Sequence, residues 1–243
     1  MEISNILSEE TIAYIEGAYS GSQVWSDGPL SGNKENKKFK SNSEYIGPCY
    51  EDIRNKLHTD LNNDLQWRTY IVAPKSSSPP FLLRYKKGDL YRTHCDASRG
   101  LNGTTSHFTT IISLSDPKDY SGGEFELEIF GSMKKFKLPK NTALIYPTGA
   151  KHAVRKVTRG VRLSILLWTE SFITDEEDRQ TLRQLQEMAD NLSEFLMGDL
   201  GIPGSDLPNH PLGPTLLNIS RLSESIHLKY PRPRDSRCYL MTE

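Results

Sequence analysis

Residues 143–168 read ALIYPTGAKHAVRKVTRGVRLSILLW, and the fold turns on how this stretch is parsed. Ala143–Tyr146 is a β-type run stopped by Pro147, and Thr148-Gly149 is a turn. His152 then opens a short apolar segment with Val154 and Val157. Arg159-Gly160 turns the chain again, into the strand Val161–Trp168. Working backwards, Trp67–Val72, Phe81–Tyr85, Phe108–Leu114, Phe125–Phe130 and Phe136–Leu138 are also short runs rich in β-branched and aromatic residues. Turn clusters such as Ser121-Gly122-Gly123 separate them. Many short strands at close spacing predict a sandwich or jelly roll.

Helical patterns flank this core. Ser8 is a candidate N-cap for a short helix carrying Ile12 and Ile15, with Glu9 and Glu10 in its first turn. A second helix is expected from about Pro48 to about Asn63, with Ile53, Leu57 and Leu61 on one stripe. Downstream, Thr174 and Glu177 form a capping-box pattern ahead of Leu182, Leu185, Met188, Leu192 and Phe195. Residues 201–214 hold four prolines and three glycines, which end that helix. A last helix is expected over 215–228, before a mobile Pro/Arg-rich tail. The expectation is a mainly β protein with flanking helices: an N-terminal region 1–66, a β core 67–172 and a helical extension 173–243.

The chain has 243 residues, a hydrophobic fraction of 36%, a charged fraction of 25% and a net charge of −1. That balance offers no global field for nucleic acid or an anionic membrane. The first residues lack the basic start and apolar run of a signal peptide. No run approaches the roughly 18 apolar residues of a spanning helix. The three cysteines are scattered without a CxxC pair, which argues against a disulfide framework or zinc–thiolate site and for a reducing, cytoplasmic setting. Lys34, Lys37, Lys38 and Lys40, within the Gly/Ser/Asn/Lys-rich loop 20–43, read as a solvated basic surface.

Chemistry concentrates in a few positions. Tyr91-Arg92-Thr93-His94-Cys95-Asp96 ends a strand-like segment, so His94 and Asp96 project to one side and Cys95 to the other. By itself His-x-Asp is a weak signal and reads more readily as a solvated polar turn. His152 adds a distant imidazole. Two histidines and a carboxylate cover one face of an octahedral iron and leave three positions open for oxygen chemistry. Arg162 follows ten residues after His152 and shares an inward face with Ser164, Leu166 and Trp168. A buried arginine is costly unless it meets an anion, and its planar fork matches a carboxylate, so a dicarboxylate is the expected guest. His107 is a rival ligand, read here as a pocket or surface residue. His58, His210 and His227 read as surface histidines, Trp168 as packing on the pocket floor. Gly122-Gly123 lacks a following Gly-Lys-Ser and a helix, so it is a turn rather than a phosphate loop.

These positions fall within a longer pattern. The pieces are Trp25-Ser26-Asp27-Gly28, Arg84-Tyr85-x-x-Gly88, His94-x-Asp96 and Leu114-Ser115-x-Pro117-x-x-Tyr120-x-Gly122-Gly123-Glu124. They continue with Lys137-Leu138-Pro139, Tyr146-Pro147, His152-x-Val154, Val157-Thr158-Arg159-Gly160-x-Arg162 and Trp168-x-x-Ser171. From about Trp25 to Gln186 the chain resembles the PKHD-type hydroxylases, bacterial members of the prolyl 4-hydroxylase-like iron/2-oxoglutarate oxygenases. It departs from them in Thr-Thr-Ser-His before Phe108 and in Cys95 between the two ligand positions.

The resemblance implies a double-stranded β-helix, Fe(II) on His94, Asp96 and His152, and the distal carboxylate of 2-oxoglutarate on Arg162. Ascorbate is the implied reductant. Tyr85 either hydrogen-bonds the co-substrate or fills the barrel as a core aromatic. The implied reaction couples decarboxylation of 2-oxoglutarate to succinate and CO2 with hydroxylation of a C–H bond by O2. The substrate it suggests is a peptidyl prolyl or other side chain. A free amino acid or small metabolite is the alternative, as is a non-catalytic cupin-like sensor of metal or 2-oxoglutarate. No nucleic-acid or membrane partner is expected, a homodimer is left open, and loops 97–106 and 20–43 are candidate substrate lids.

Overall fold

The computed structural model describes residues 1–19, 24–31, 39–97 and 105–230. The expected lid segment, most of the lysine loop and the Pro/Arg tail lie partly or wholly outside them. The chain divides into two compact units, Met1–Arg68 with Ser76–Glu170, and Thr69–Lys75 with Ser171–Glu243.

The first unit is a double-stranded β-helix. Its larger sheet holds β1 (Glu2–Ser4), β2 (Ser43–Glu44), β3 (Pro74–Ser77), β4 (Phe81–Tyr85), β6 (Phe108–Ser113), β10 (Thr142–Pro147) and β13 (Arg162–Ser171). The order is β1-β10-β6-β13-β4-β2, with β3 also pairing β13. The smaller sheet holds β5 (Tyr91–His94), β8 (Phe125–Ile129), β9 (Ser132–Phe136) and β11 (His152–Val154), in the order β5-β11-β8-β9. A two-stranded ribbon joins β7 (Ser121–Gly122) to β12 (Val157–Arg159). Leu83, Tyr85, Ile111, Leu144 and Tyr146 from the larger sheet meet Phe125, Leu127 and Val154 from the smaller one in a single buried cluster. Each such side chain contributes about 1.5–3 kcal/mol when buried. The larger sheet is covered on its other face too: the indole of Trp67 gives its N–H to the buried hydroxyl of Thr110, 3.2 Å away.

Two helices complete this unit. Glu9–Tyr19 starts at Ser8, whose hydroxyl accepts from the Thr11 N–H at 3.2 Å. Tyr50–Asn63 buries Ile53, Leu57 and Leu61, the stripe expected from spacing.

Several expectations are corrected. Trp67–Val72 is not a strand; residues Leu65–Ile71 form a helix. The Asp64 carboxylate accepts from the Trp67 N–H at 2.6 Å and caps it, and Val72 and Ala73, at φ 57° and 52°, end it. Phe136–Leu138 is not a strand of its own: β9 covers Ser132–Phe136, with its side chains mostly exposed. In the second unit the helix Glu176–Glu194 is capped by Asp175, which accepts from the Asp178 N–H at 2.9 Å, one residue later than the Thr174/Glu177 box. Its stripe is also narrower than expected. Leu182 is buried with Val72, Ile173 and Ile226 of the helix Gly213–His227, while Met188 and Phe195 are exposed.

Candidate active site

Antiparallel pairing of β5 with β11 sets His94 opposite His152. The two rings lie 4.2 Å apart, centroid to centroid. Asp96 follows β5 by two residues, so strand alternation returns its carboxylate to the His94 side. Its Oδ1 is 3.5 Å from His94 Nε2, and its Oδ2 is 3.7 Å from His152 Nε2. One donor atom from each of the three residues lies within 4.8 Å of the others.

The histidine tautomers are set by backbone. His94 Nδ1 is 2.8 Å from the Arg92 carbonyl and His152 Nδ1 is 2.9 Å from the Ala150 carbonyl. A carbonyl only accepts, so each Nδ1 carries the proton and each Nε2 turns a lone pair toward Asp96. His94 Nε2 is buried with no hydrogen-bond partner among the described residues. Burial holds the His152 imidazole below its ordinary pKa, reinforced by His94 and opposed by the Asp96 charge. Burial pulls the Asp96 carboxyl upward, but the His94 and His152 imidazoles and the Trp168 indole outweigh it and leave it below the usual range. A neutral imidazole and an ionised carboxylate are the states that metal ligation needs. Tyr91 backs the site, its ring stacked on His94 at 3.6 Å.

Arg162 begins β13 opposite Tyr85 of β4 and is 6% exposed. Its guanidinium donates to the Ser164 hydroxyl at 3.0 Å and lies 5.4 Å from the centre of the Tyr85 ring. Its charge also acts on the Tyr120 and Tyr146 hydroxyls, opposing the rise in pKa that burial imposes on each. Among the described residues no carboxylate pairs with this buried cation. Gly160 makes its position possible. At φ +72° it turns the chain where a Cβ would fall 2.1 Å from the Asp119 carbonyl oxygen.

The orphaned Nε2 of His94 and the acid-free Arg162 together fit a divalent metal next to a dicarboxylate. Tyr85 is both a core residue, at 1% exposure, and a neighbour of the guanidinium. His107 is not part of the cluster; it precedes β6, with its backbone N–H bound to the Thr169 carbonyl. Of the histidines expected at the surface, His58 has Nε2 buried and unpartnered among the described residues, and burial lowers its pKa.

Two residues carry more than sequence suggested. Trp168, expected only to pack, gives its indole N–H to Asp96 Oδ2 at 2.9 Å. Tyr146 is 1% exposed, 5.3 Å from His152 ring to ring, and among the described residues its hydroxyl has no hydrogen-bond partner; the hydroxyl of Thr109, its pair on β6, donates to Thr148 instead. Trp168 shares the inward face of Arg162, a usable signal. Tyr146 lies on a strand buried on both faces, where alternation disappears.

Comparisons with known proteins place the chain in a family. A family model for the 2OG-Fe(II) oxygenase superfamily matches residues 80–170. A PKHD-type hydroxylase of Gluconacetobacter diazotrophicus is 30% identical over 206 residues, covering 82% of this chain and 90% of that protein. One from Methylobacillus flagellatus is 29% identical over 193 residues, covering 76% and 84%. Among solved structures, a 2OG-Fe(II) oxygenase family oxidoreductase from Burkholderia pseudomallei superposes with a TM-score of 0.51 at 15% identity, covering 70% of this chain and 84% of that one, a likeness of fold.

Proposed function

From the premise that this chain belongs to the PKHD-type hydroxylases of the 2OG-Fe(II) oxygenase superfamily, we propose that His94, Asp96 and His152 hold its iron and Arg162 its co-substrate. The protein is a dioxygenase, and the family implies Fe(II) and 2-oxoglutarate. The observation that carries the residue assignment is the three-atom cluster within 4.8 Å in the same β-helix as a buried arginine that meets no acid among the described residues. When bound, iron with 2-oxoglutarate and O2 supplies hydroxylation of a C–H bond, the co-substrate leaving as succinate and CO2.

The chain's own contribution is placement. The backbone carbonyls of Arg92 and Ala150 keep both Nε2 atoms bare for the metal. Arg162 offers a planar fork to the far carboxylate, with Tyr85 and Tyr146 as phenol donors beside it. The surrounding core excludes water, which strengthens each of these charge contacts.

The proposed substrate is a side chain of a peptide or protein, with ascorbate as the reductant that maintains iron(II) and a cytoplasmic place of action. The motif-by-motif resemblance to the prolyl 4-hydroxylase-like group supports the peptidyl reading. No described helix is long and apolar enough to cross a membrane. The test is succinate release from 2-oxoglutarate under air, with Fe(II), in the presence of proline-containing peptide pools or free amino acids. Peptide pools should stimulate turnover well above the substrate-free rate, with a 16 Da gain on a peptide by mass spectrometry. Stimulation by free amino acids alone would overturn the peptidyl assignment and leave the dioxygenase chemistry in place.

A further inference from the structure

Asp96 lies beyond the end of β5 and just ahead of the undescribed residues 98–104, so β-pairing alone does not hold its side chain. What holds it is Trp168, which reaches across 72 residues of sequence to donate its indole N–H to Oδ2 at 2.9 Å. The other two tryptophans serve neutral acceptors: Trp25 the Tyr19 carbonyl, and Trp67 the Thr110 hydroxyl. Trp168 is itself held firmly. Its backbone N–H donates to the Ser78 hydroxyl at 3.0 Å and its carbonyl accepts from the Ser78 N–H at 2.8 Å. The Phe81 ring packs edge-on against the indole at 5.2 Å.

We propose that Trp168 is a positioning residue of the metal site: by occupying Oδ2 it fixes the rotation of the Asp96 carboxylate and presents Asp96 to the metal through Oδ1 alone. This rests on the reading of His94, Asp96 and His152 as ligands. The consequence is chemical. A carboxylate bound through one oxygen leaves three positions of an octahedral ion free, enough for a chelating 2-oxoacid and O2. A carboxylate free to rotate can bind through both oxygens and take one of those positions. Second partners of metal ligands have this kind of influence, and their loss typically costs about 10–100-fold in metal affinity.

The test uses the full-length, metal-free protein and two probe metals. Trp168→Phe keeps an aromatic ring against Phe81 and removes the donor. By calorimetry its affinity for Mn(II) should fall about 10–100-fold. At saturating Co(II) its visible spectrum should differ from that of the wild type, as a change in coordination requires. Trp168→His, which retains an N–H donor, should recover part of the affinity. The melting temperature of the metal-free Phe variant should stay within about 4 °C of wild type.

Wild-type affinity and an unchanged Co(II) spectrum in Trp168→Phe would overturn the positioning role, provided Asp96→Ala no longer binds metal. Wild-type Mn(II) binding by Asp96→Ala would instead overturn the ligand reading itself. If the Phe variant fails to fold, the indole N–H resonance of Trp168 decides in 15N NMR. It should exchange slowly with solvent and shift in Asp96→Asn; a fast-exchanging, unshifted resonance contradicts the proposal.

Discussion

Tyr146 carries a hydroxyl that is buried without a hydrogen-bond partner among the described residues. An unmet buried donor costs about 1–3 kcal/mol, a penalty that a bound carboxylate would remove. Tyr146→Phe is therefore expected to leave the ligand-free protein as stable as wild type or more so, by thermal melting. It should weaken 2-oxoglutarate binding to the Mn(II)-loaded protein by about tenfold or more, as for a lost hydrogen bond to a charged group. A loss of stability with unchanged 2-oxoglutarate affinity would make Tyr146 a core aromatic only. At this scale sequence showed the cluster's members well. His94 and Asp96 share a side because strands alternate, and Arg162 advertised itself as a cation among inward-facing neighbours. The indole–carboxylate bond was not legible, because Asp96 beyond β5 and Trp168 on β13 are far apart in sequence and only the folded chain brings them together.

Glu44 gathers Leu30, Ser31 and Lys40 around its carboxylate. Its carboxylate accepts from the backbone N–H groups of Leu30 and Ser31, the Ser31 hydroxyl and Lys40 Nζ, the last at 3.0 Å. Lys40 and Glu44 side chains are 5% and 6% exposed, so Lys40 is not part of a solvated basic surface as its lysine-rich context suggested. Lys40 bridges to Tyr91 and sits 5.3 Å over the ring that stacks on His94. This element thus backs the proposed metal site. Burial raises the Glu44 carboxyl pKa, but Lys40 and the Ser31 hydrogen bonds outweigh it and bring it below the usual carboxylate range. Its folded pKa is depressed, so the stability it contributes is complete above about pH 4.5 and is lost as pH falls through the lower folded value. Glu44→Gln leaves Lys40 without its acid and should cost about 3–5 kcal/mol at pH 7 by urea denaturation. The variant's stability should also fall less steeply than wild type on acidification below pH 4.5. Equal stability of the two at pH 7 would mean that the pair adds nothing to the fold. The helix Leu65–Ile71 was equally hidden: Trp67, Tyr70 and Ile71 have β-type composition, and the Asp64 cap and tertiary burial override that preference.

Across the whole molecule, the alternation of short strands and turns was enough to predict a jelly roll, while the division into two units was less visible. The crossings between Arg68 and Thr69 and between Glu170 and Ser171 fall inside regular elements, so no Pro/Gly-rich linker marks them. β1 was also missed; three residues at the start of the chain are too few for a period, yet they pair with β10. With a net charge of −1 the molecule has no global attraction for a dianionic co-substrate, so recognition must be local to the site. That puts the account's weight on Arg162. The direct measurement is a calorimetric titration of 2-oxoglutarate into Mn(II)-loaded wild type, Arg162→Ala and Arg162→Lys. Removing a buried guanidinium from a charge pair should cost about 2–5 kcal/mol, tens to thousands of fold in Kd, with Mn(II) affinity little changed. Lysine should recover only part, since it offers one point charge in place of a fork. Equal 2-oxoglutarate affinities in all three proteins would contradict the co-substrate assignment.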